Sequence, residues 1–118
     1  MTPDELKART KAFALDAIRT VRTLPADVPT QVMSKQLVRC GTSIGANYRS
    51  ACLAKSKADM IAKLKLVEEE ADESVYWLEL LEESKTLNPA KAQAMQAEAG
   101  ELFKIAAASI RTLRKGQS

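Results

Sequence analysis

Apolar and small residues recur in alternating steps of four and three along the third quarter of the chain. The series consists of Met60, Leu64, Val67, Ala71, Ser74, Leu78 and Leu81. This alternation places all its members on one stripe of an α-helix and is typical of helices that pack side by side. Such a stripe needs partner helices to cover it, so the series predicts an all-α bundle.

Prolines and polar turns divide the rest of the chain into further helical segments with the same periodicity. The 118 residues include only four Gly and four Pro, which suits long helices joined by short turns. A chain of this length has room for one hydrophobic core. We therefore predict a single domain over residues 1–118, an antiparallel up-down-up-down four-helix bundle with helices at about 3–24, 30–55, 57–86 and 89–115.

Three of the predicted helices begin with capping residues. Thr2 with Glu5 three positions later forms a capping box, and Ser56 stands in the same relation to Asp59. Asn88 precedes a proline, which suits the first helical position. The start of the second helix is predicted only from the prolines at 25 and 29.

Residues 38–49 contain the string Gly41-Thr42-Ser43-Ile44-Gly45, which matches the G-x-S-x-G elbow of serine hydrolases. That elbow needs a preceding strand and a histidine to activate the serine, but the string lies in a helical pattern and the chain has no histidine. A phosphate-binding loop is excluded as well, because no Lys-Ser/Thr pair follows Gly45. Two glycines one turn apart on one side of a helix predict instead that another helix backbone comes close there.

The absence of histidine also limits metal and acid-base chemistry. The acidic run contains Glu68, Glu69, Glu70, Asp72 and Glu73. Di-iron bundles require Glu-x-x-His pairs, so we predict no metal and no cofactor here. No catalytic constellation is present, and we expect a protein that is not an enzyme.

Cys40 and Cys52 lie on one predicted helix, about 18 Å apart along its axis, so they cannot form a disulfide with each other. Buried, reduced thiols fit a cytosolic protein. The charged N-terminal stretch has no apolar core of a signal peptide, and no stretch approaches the length of a membrane span. We expect a cytoplasmic protein with no membrane partner.

Charge is unevenly divided along the chain. Residues 1–58 hold ten Lys or Arg against four Asp or Glu, whereas residues 59–118 hold eight against eleven. The basic excess of the first half could meet an anionic partner, or it could simply pair with the acidic third helix. The candidate contacts to nucleic-acid phosphates are Lys7, Lys11, Arg19, Arg22, Arg39 and Arg49.

The back of the third helix carries large apolar side chains among glutamates, on the side away from the seam. A Trp, a Tyr and two Leu on one outward face favour a subunit interface, although a core that wraps around the helix would also explain them. The candidate interface residues are Leu66, Glu69, Glu73, Tyr76, Trp77 and Leu80. We expect the glutamates of this helix to pair with Arg39 and Arg49, across helices or across subunits.

Three segments of the chain resemble a known family. They are QLVRCGTSIGANYRSA (residues 36–51), AKSKADMIAKL (residues 54–64) and EADESVYWLELL (residues 70–81). Together they are similar to the signature of the four-helix-bundle proteins encoded within 23S rRNA intervening sequences. Met60 departs from this pattern, since phenylalanine is expected there.

The resemblance implies a bacterial, cytosolic protein that assembles as a homopentameric ring. The family is similar to the accessory protein of diversity-generating retroelements, a basic ring that binds nucleic acid and works with a reverse transcriptase. It therefore implies RNA or DNA, and a reverse transcriptase, as candidate partners, and it supplies no catalytic residues.

Two functional hypotheses follow from the residues and the resemblance together. The first is a non-enzymatic oligomer that associates with structured RNA or DNA through basic surfaces of the ring. The alternative is a protein-interaction scaffold without nucleic-acid binding, in which the arginines serve only ion pairs.

Overall fold

Four α-helices account for all the regular structure of the described residues. The computed structural model describes residues 1–116, over which no strand occurs. The helices are α1 (Pro3–Val21), α2 (Val28–Cys52), α3 (Lys57–Glu83) and α4 (Pro89–Lys115). They form an elongated four-helix bundle of about 51 × 21 × 19 Å.

The three capping signals in the sequence are confirmed. The Glu5 amide donates to Thr2 Oγ1 at 3.1 Å, and the Thr2 amide donates to Glu5 Oε1 at 2.9 Å, which completes the capping box of α1. Ser56 accepts from the Asp59 amide at 3.0 Å. Asn88 Oδ1 accepts from the amides of the first turn of α4. Each cap satisfies an amide that the first turn would otherwise leave unpaired.

Helix α2 begins at Val28, two residues before the predicted start. Asp27 is its N-cap, and one carboxylate oxygen accepts from both the amide and the hydroxyl of Thr30, at 3.0 and 2.8 Å. Pro29 fits inside the first turn because that turn needs no amide donor from it. The Asp-x-x-Thr spacing is the sequence signal for this start.

The C-terminal ends of α1, α2 and α3 each fall about three residues before the predicted ends, whereas α4 ends at Lys115 as predicted. After α1, the amides of Thr23 and Leu24 bond three residues back, so the chain tightens and leaves the helix. The same happens after Cys52. After α3, Lys85 adopts a left-handed conformation with φ of 61°, and the Thr86 amide reaches back to the Leu81 carbonyl at 3.0 Å. This is a Schellman ending with lysine in the position that usually holds glycine.

The buried side chains of α3 follow the predicted stripe. The whole α3 series is buried except for the half-buried Met60. The buried positions of the other helices are Leu6, Thr10, Phe13, Ala17 and Thr20 on α1, Thr30, Leu37, Cys40, Gly41, Ile44, Tyr48 and Ala51 on α2, and Ala92, Met95, Ala99, Leu102, Ala106 and Ile110 on α4.

Helix α1 is held differently on its two sides. It packs closely on α2, where Gly41 faces Phe13 and Ala17, but it contacts α4 only lightly. On the α4 side two ion pairs link the helices: Arg9 donates twice to Glu98 at 2.7 Å, and Lys91 contacts Asp16 at 2.7 Å. The predicted close approach of another helix to the two glycines is confirmed, and the partner is α1.

Candidate functional site

A groove with three basic side chains runs along the outer side of the α1–α2 contact. Its volume is about 540 Å³. We call it the basic groove, and it is lined by Lys7, Ala8, Thr10, Lys11 and Ala14 from α1 and by Thr42, Gly45, Ala46 and Arg49 from α2. Three of the six cations proposed from the sequence therefore lie together, although they come from two helices.

The groove exists because α1 and α2 approach closely without large side chains between them. A Cβ atom on Gly45 would lie 3.2 Å from Thr10 Oγ1 and 3.5 Å from the Thr10 carbonyl carbon. Only glycine leaves this approach unstrained, and the alanines beside it are too short to fill the surface depression. The floor of the groove is therefore shallow, apolar and free of long side chains.

The three cations of the groove have no acidic partner among the described residues. Over residues 1–116, no ion pair involves Lys7, Lys11 or Arg49, and none of the described lining residues is acidic. This distinguishes them from Arg9 and Lys91, which are paired across α1 and α4. Unpaired cations that share one concave surface produce a positive potential there.

The groove's two threonine hydroxyls are already committed as donors. Thr10 Oγ1 donates to the Lys7 carbonyl at 3.1 Å, and Thr42 Oγ1 donates to the Val38 carbonyl at 2.7 Å. Each hydroxyl oxygen keeps acceptor capacity only. The donors that the groove offers an anion are therefore its ammonium and guanidinium groups.

Arg39 lies elsewhere, between α2 and α3. Its guanidinium contacts Glu70 at 3.2 Å and also pairs with Glu73, while its Nε donates to Gln36 at 3.0 Å. Its side chain keeps 47% of its surface exposed. The expected pairing of Arg39 with the α3 glutamates is thus present within one chain, whereas Arg49 has no such partner among residues 1–116.

The last two proposed cations sit apart from the groove. Arg19 lines two shallow depressions on the α1–α4 side, beside Asp16 and Glu98. Arg22 is exposed just after α1 ends. The six cations therefore do not form one surface, because the first two helices present them on different sides of the bundle.

The proposed interface residues of α3 divide into exposed and half-buried members. Leu66 and Tyr76 are 39% and 53% exposed. Trp77 is half-buried against the core and meets the Tyr76 ring edge-to-face at a centroid distance of 5.1 Å. Leu80 is half-buried, and Glu69 is exposed beside a polar groove between α3 and α4. For Trp77, the alternative of a core that wraps around the helix describes its position well.

The string that resembles a hydrolase elbow lies inside α2. Ser43 Oγ donates to the Arg39 carbonyl at 2.7 Å, as a serine in a helix often does. Cys40, next to the string, is buried, and burial raises the pKa of its thiol although Ser74 donates a hydrogen bond to it at 3.3 Å. Burial, with a hydrogen bond to Cys52, raises the pKa of Tyr48 to about 12. The Cys40 thiol and the Tyr48 hydroxyl are therefore protonated at neutral pH and belong to the packed interior.

Neither a metal-binding cluster nor a membrane-spanning helix is found among the described residues. Among residues 1–116, no cluster of three or more acidic or cysteine side chains is arranged to hold a metal ion. Over the same range, no helix combines the length and the apolar composition that a membrane span requires.

Sequence reasoning misses the neutral lining of the basic groove. Periodicity alone marks Thr10 as an interruption of the α1 stripe and Thr42 as an outward residue, but both line the groove. A signal for it is present: Lys7 and Lys11 are one turn apart, and Thr42, Ala46 and Arg49 follow one another at helical spacing.

Comparison with known proteins identifies the family. The family described as 23S rRNA-intervening sequence protein matches residues 5–108. A crystal structure of a protein of unknown function from the S23 ribosomal protein family of Bacteroides thetaiotaomicron VPI-5482 is similar in fold, with a TM-score of 0.84 and 36% sequence identity. The similarity covers 94% of this chain and 99% of that one. Among curated proteins no match is found. With most of its length matched, the chain belongs to the family of 23S rRNA-intervening sequence proteins.

Proposed function

We propose that this protein is a non-enzymatic, oligomeric protein that associates with structured RNA or DNA. The observation that carries the proposal is the convergence of Lys7, Lys11 and Arg49 on one groove without an acidic partner among residues 1–116. Cations that are not neutralised within the chain are free to replace the counterions of a phosphate backbone. The resemblance of the family to a basic ring protein that binds nucleic acid supports the same direction.

The helices are proposed to run antiparallel, in up-down-up-down order. Between Thr10 and Ala17 of α1 the contacted residue of α2 falls from Gly45 to Gly41, so α2 runs opposite to α1. Arg9 pairs with Glu98 and Asp16 with Lys91, so α4 also runs opposite to α1. The short connections on either side of α3, residues 53–56 and 84–88, support its reversal relative to α2 and α4.

Assembly into a ring is proposed to use the back of α3. The exposed Leu66 and Tyr76 and the half-buried Leu80 give this surface apolar contact area, and acidic side chains surround it. Tyrosine and tryptophan are favoured at the centres of subunit interfaces. The subunit number of five is what the family resemblance implies. A ring would repeat the basic groove on every subunit and raise the total affinity for one long polyanion.

A cytoplasmic location and a reverse transcriptase as partner also remain parts of the proposal. The two free thiols, Cys40 and Cys52, support a reducing compartment. The partner is implied by the resemblance alone, and co-purification with the product of a neighbouring gene tests it.

The proposed association is tested by measuring the affinity of the purified protein for a structured RNA and for duplex DNA at about 50 and about 200 mM salt. We expect binding at the lower salt concentration that weakens steeply at the higher one. Absence of binding at low salt, or affinity that does not change with salt, would contradict the proposal.

A specific observation favours the alternative of a scaffold without nucleic-acid binding. Arg39, one of the six candidate contacts, is already paired with Glu70 and Glu73. If the other cations are paired in the same way between subunits, the assembled oligomer has no free basic surface. The surface potential of the purified oligomer separates the two: a continuous basic rim or pore favours nucleic-acid association, and a neutral surface favours the scaffold.

A further inference from the structure

We infer that the basic groove receives a single strand of nucleic acid, with phosphates on its basic rim and a sugar or base against its floor. This inference rests on the proposed function and goes beyond it, because it names the form of the ligand and where it lies. It excludes a duplex as the ligand of the groove itself.

The groove between α1 and α2 is too narrow to admit a duplex. Two packed helices have axes about 8–10 Å apart, and Gly45 keeps α1 and α2 close at this point. A double helix is wider than its own major groove of about 12 Å. It can touch the rim of a furrow between two helices, but only a single strand can enter it.

The spacing of the groove's lysines matches the phosphate spacing of an extended strand. Lys7 and Lys11 lie one turn apart on α1, about 6 Å along the helix axis. Phosphates of one strand in B-DNA are separated by about 3.4 Å along the axis, and an extended single strand spaces them more widely. The lysines therefore match successive phosphates of an extended strand, and Arg49 faces them from α2.

The floor of the groove offers groups that complement a nucleotide. Ala14, Gly45 and Ala46 offer apolar surface, and the half-buried Thr42 offers an acceptor oxygen because its hydroxyl proton is already donated to a carbonyl. A nucleotide presents a phosphate, an apolar sugar or base face and amino donors, so it matches all three features. The described lining of the groove has no aromatic side chain for stacking, so we expect affinity dominated by charge.

The test compares a labelled oligouridine with the same strand annealed to its complement, by fluorescence anisotropy at several salt concentrations. The groove triple variant, Lys7→Gln/Lys11→Gln/Arg49→Gln, removes all three cations. We expect it to weaken single-strand binding by about tenfold or more and to reduce the slope of log affinity against log salt by about 2 for each groove occupied.

A second variant fills the groove without changing charge. Ala46 is exposed on α2, so Ala46→Leu keeps a good helix former and adds a side chain on the floor. We expect it to weaken single-strand binding several-fold, by about the same factor at every salt concentration. Unchanged binding by this variant would overturn the inference.

The matched control removes the same charge elsewhere. Lys65→Gln/Lys104→Gln/Arg111→Gln changes three cations of α3 and α4, which lie outside the basic groove. We expect it to leave single-strand affinity within about twofold of the wild type, since none of the three residues lines the groove. Thermal melting establishes that all variants are folded.

The remaining outcomes separate this inference from the proposed function. If the duplex binds as tightly as the single strand and the groove triple variant is unaffected, the inference fails while nucleic-acid association stands. If neither form binds at low salt, both fail. If the groove triple variant sediments at a lower mass than the wild type, the basic groove is a contact with a second copy of this chain and the inference is overturned.

Discussion

A Cβ atom placed on Gly41 of α2 would lie 3.3 Å from the Cβ atom of Ala17 on α1. This distance is shorter than ordinary van der Waals contact, and Ala17 cannot rotate away because its Cβ is fixed to the backbone. The close approach of α1 and α2 that produces the basic groove therefore depends on glycine at this position.

Two Gly→Ala substitutions test the close approach. Gly100 lies within α4, and no described atom beyond its chain neighbours and its own helix backbone comes within 4 Å of the point that its Cβ would occupy. Gly100→Ala should therefore raise the free energy of unfolding by about 0.5–1 kcal/mol through helix propensity. Gly41→Ala gains the same propensity but must displace α1. We expect a smaller gain or a net loss for it in urea denaturation. Equal gains at both positions would contradict the account.

The left-handed Lys85 predicts a stabilising substitution. A residue with a Cβ atom in this conformation costs roughly 1 kcal/mol, which glycine avoids. Lys85→Gly should raise the free energy of unfolding by about 0.5 kcal/mol, since the greater freedom of glycine in the unfolded chain offsets part of the gain. Lys85→Ala is the control, because it removes the charge and keeps the strain. Equal stability of the two variants would show that the conformation carries no cost.

The cap of α2 predicts a pH dependence. The amide and then the hydroxyl of Thr30 hold the pKa of Asp27 below its usual value. Since the folded state binds this proton less readily than the unfolded state, the stabilisation is present above about pH 4 and is lost as the pH falls further. Asp27→Asn keeps an acceptor oxygen but cannot titrate.

Melting temperature against pH measures this effect. The wild type should lose stability below about pH 4 more steeply than Asp27→Asn, whereas the two proteins should behave alike at higher pH. Parallel curves over the acid range would mean that the cap does not depend on the carboxylate charge.

Much of the fold can be predicted from the sequence because the interior is built from regular stripes. The series from Met60 to Leu81 and the caps at Thr2, Ser56 and Asn88 are local signals, and the structure places them as they predict. The helix ends are predicted less accurately. They depend on single backbone bonds such as that from the Thr86 amide to Leu81, which periodicity does not report.

The site is less predictable because it depends on how helices sit against each other. Arg39 and Arg49 are both outward on α2, yet one reaches the glutamates of α3 and the other faces α1. Ten residues of helix advance about 1000°, so the two side chains point in different directions around the axis. Which neighbour each meets is decided by tertiary packing, which one sequence does not specify.

The proposed ring is tested at the back of α3. Leu66→Glu adds a charge to an exposed apolar residue of that surface and should shift the protein to smaller species in sedimentation velocity. Val28→Glu is the control, because Val28 is more exposed and lies in the first turn of α2. Trp77→Ala is a poorer probe, since Trp77 also packs against the core. An unchanged mass for Leu66→Glu would mean that this surface is not the interface.

The most direct test of nucleic-acid association compares two arginines of the same helix. Arg49 lies in the basic groove without an ion-pair partner among residues 1–116, whereas Arg39 is neutralised by Glu70 and Glu73. Arg49→Gln and Arg39→Gln remove the same charge from α2, and affinity for a structured RNA is measured for both at low salt. The account predicts that Arg49→Gln weakens binding and makes it less dependent on salt, while Arg39→Gln stays close to the wild type. Equal losses for the two variants, or a loss for Arg39→Gln alone, would contradict it.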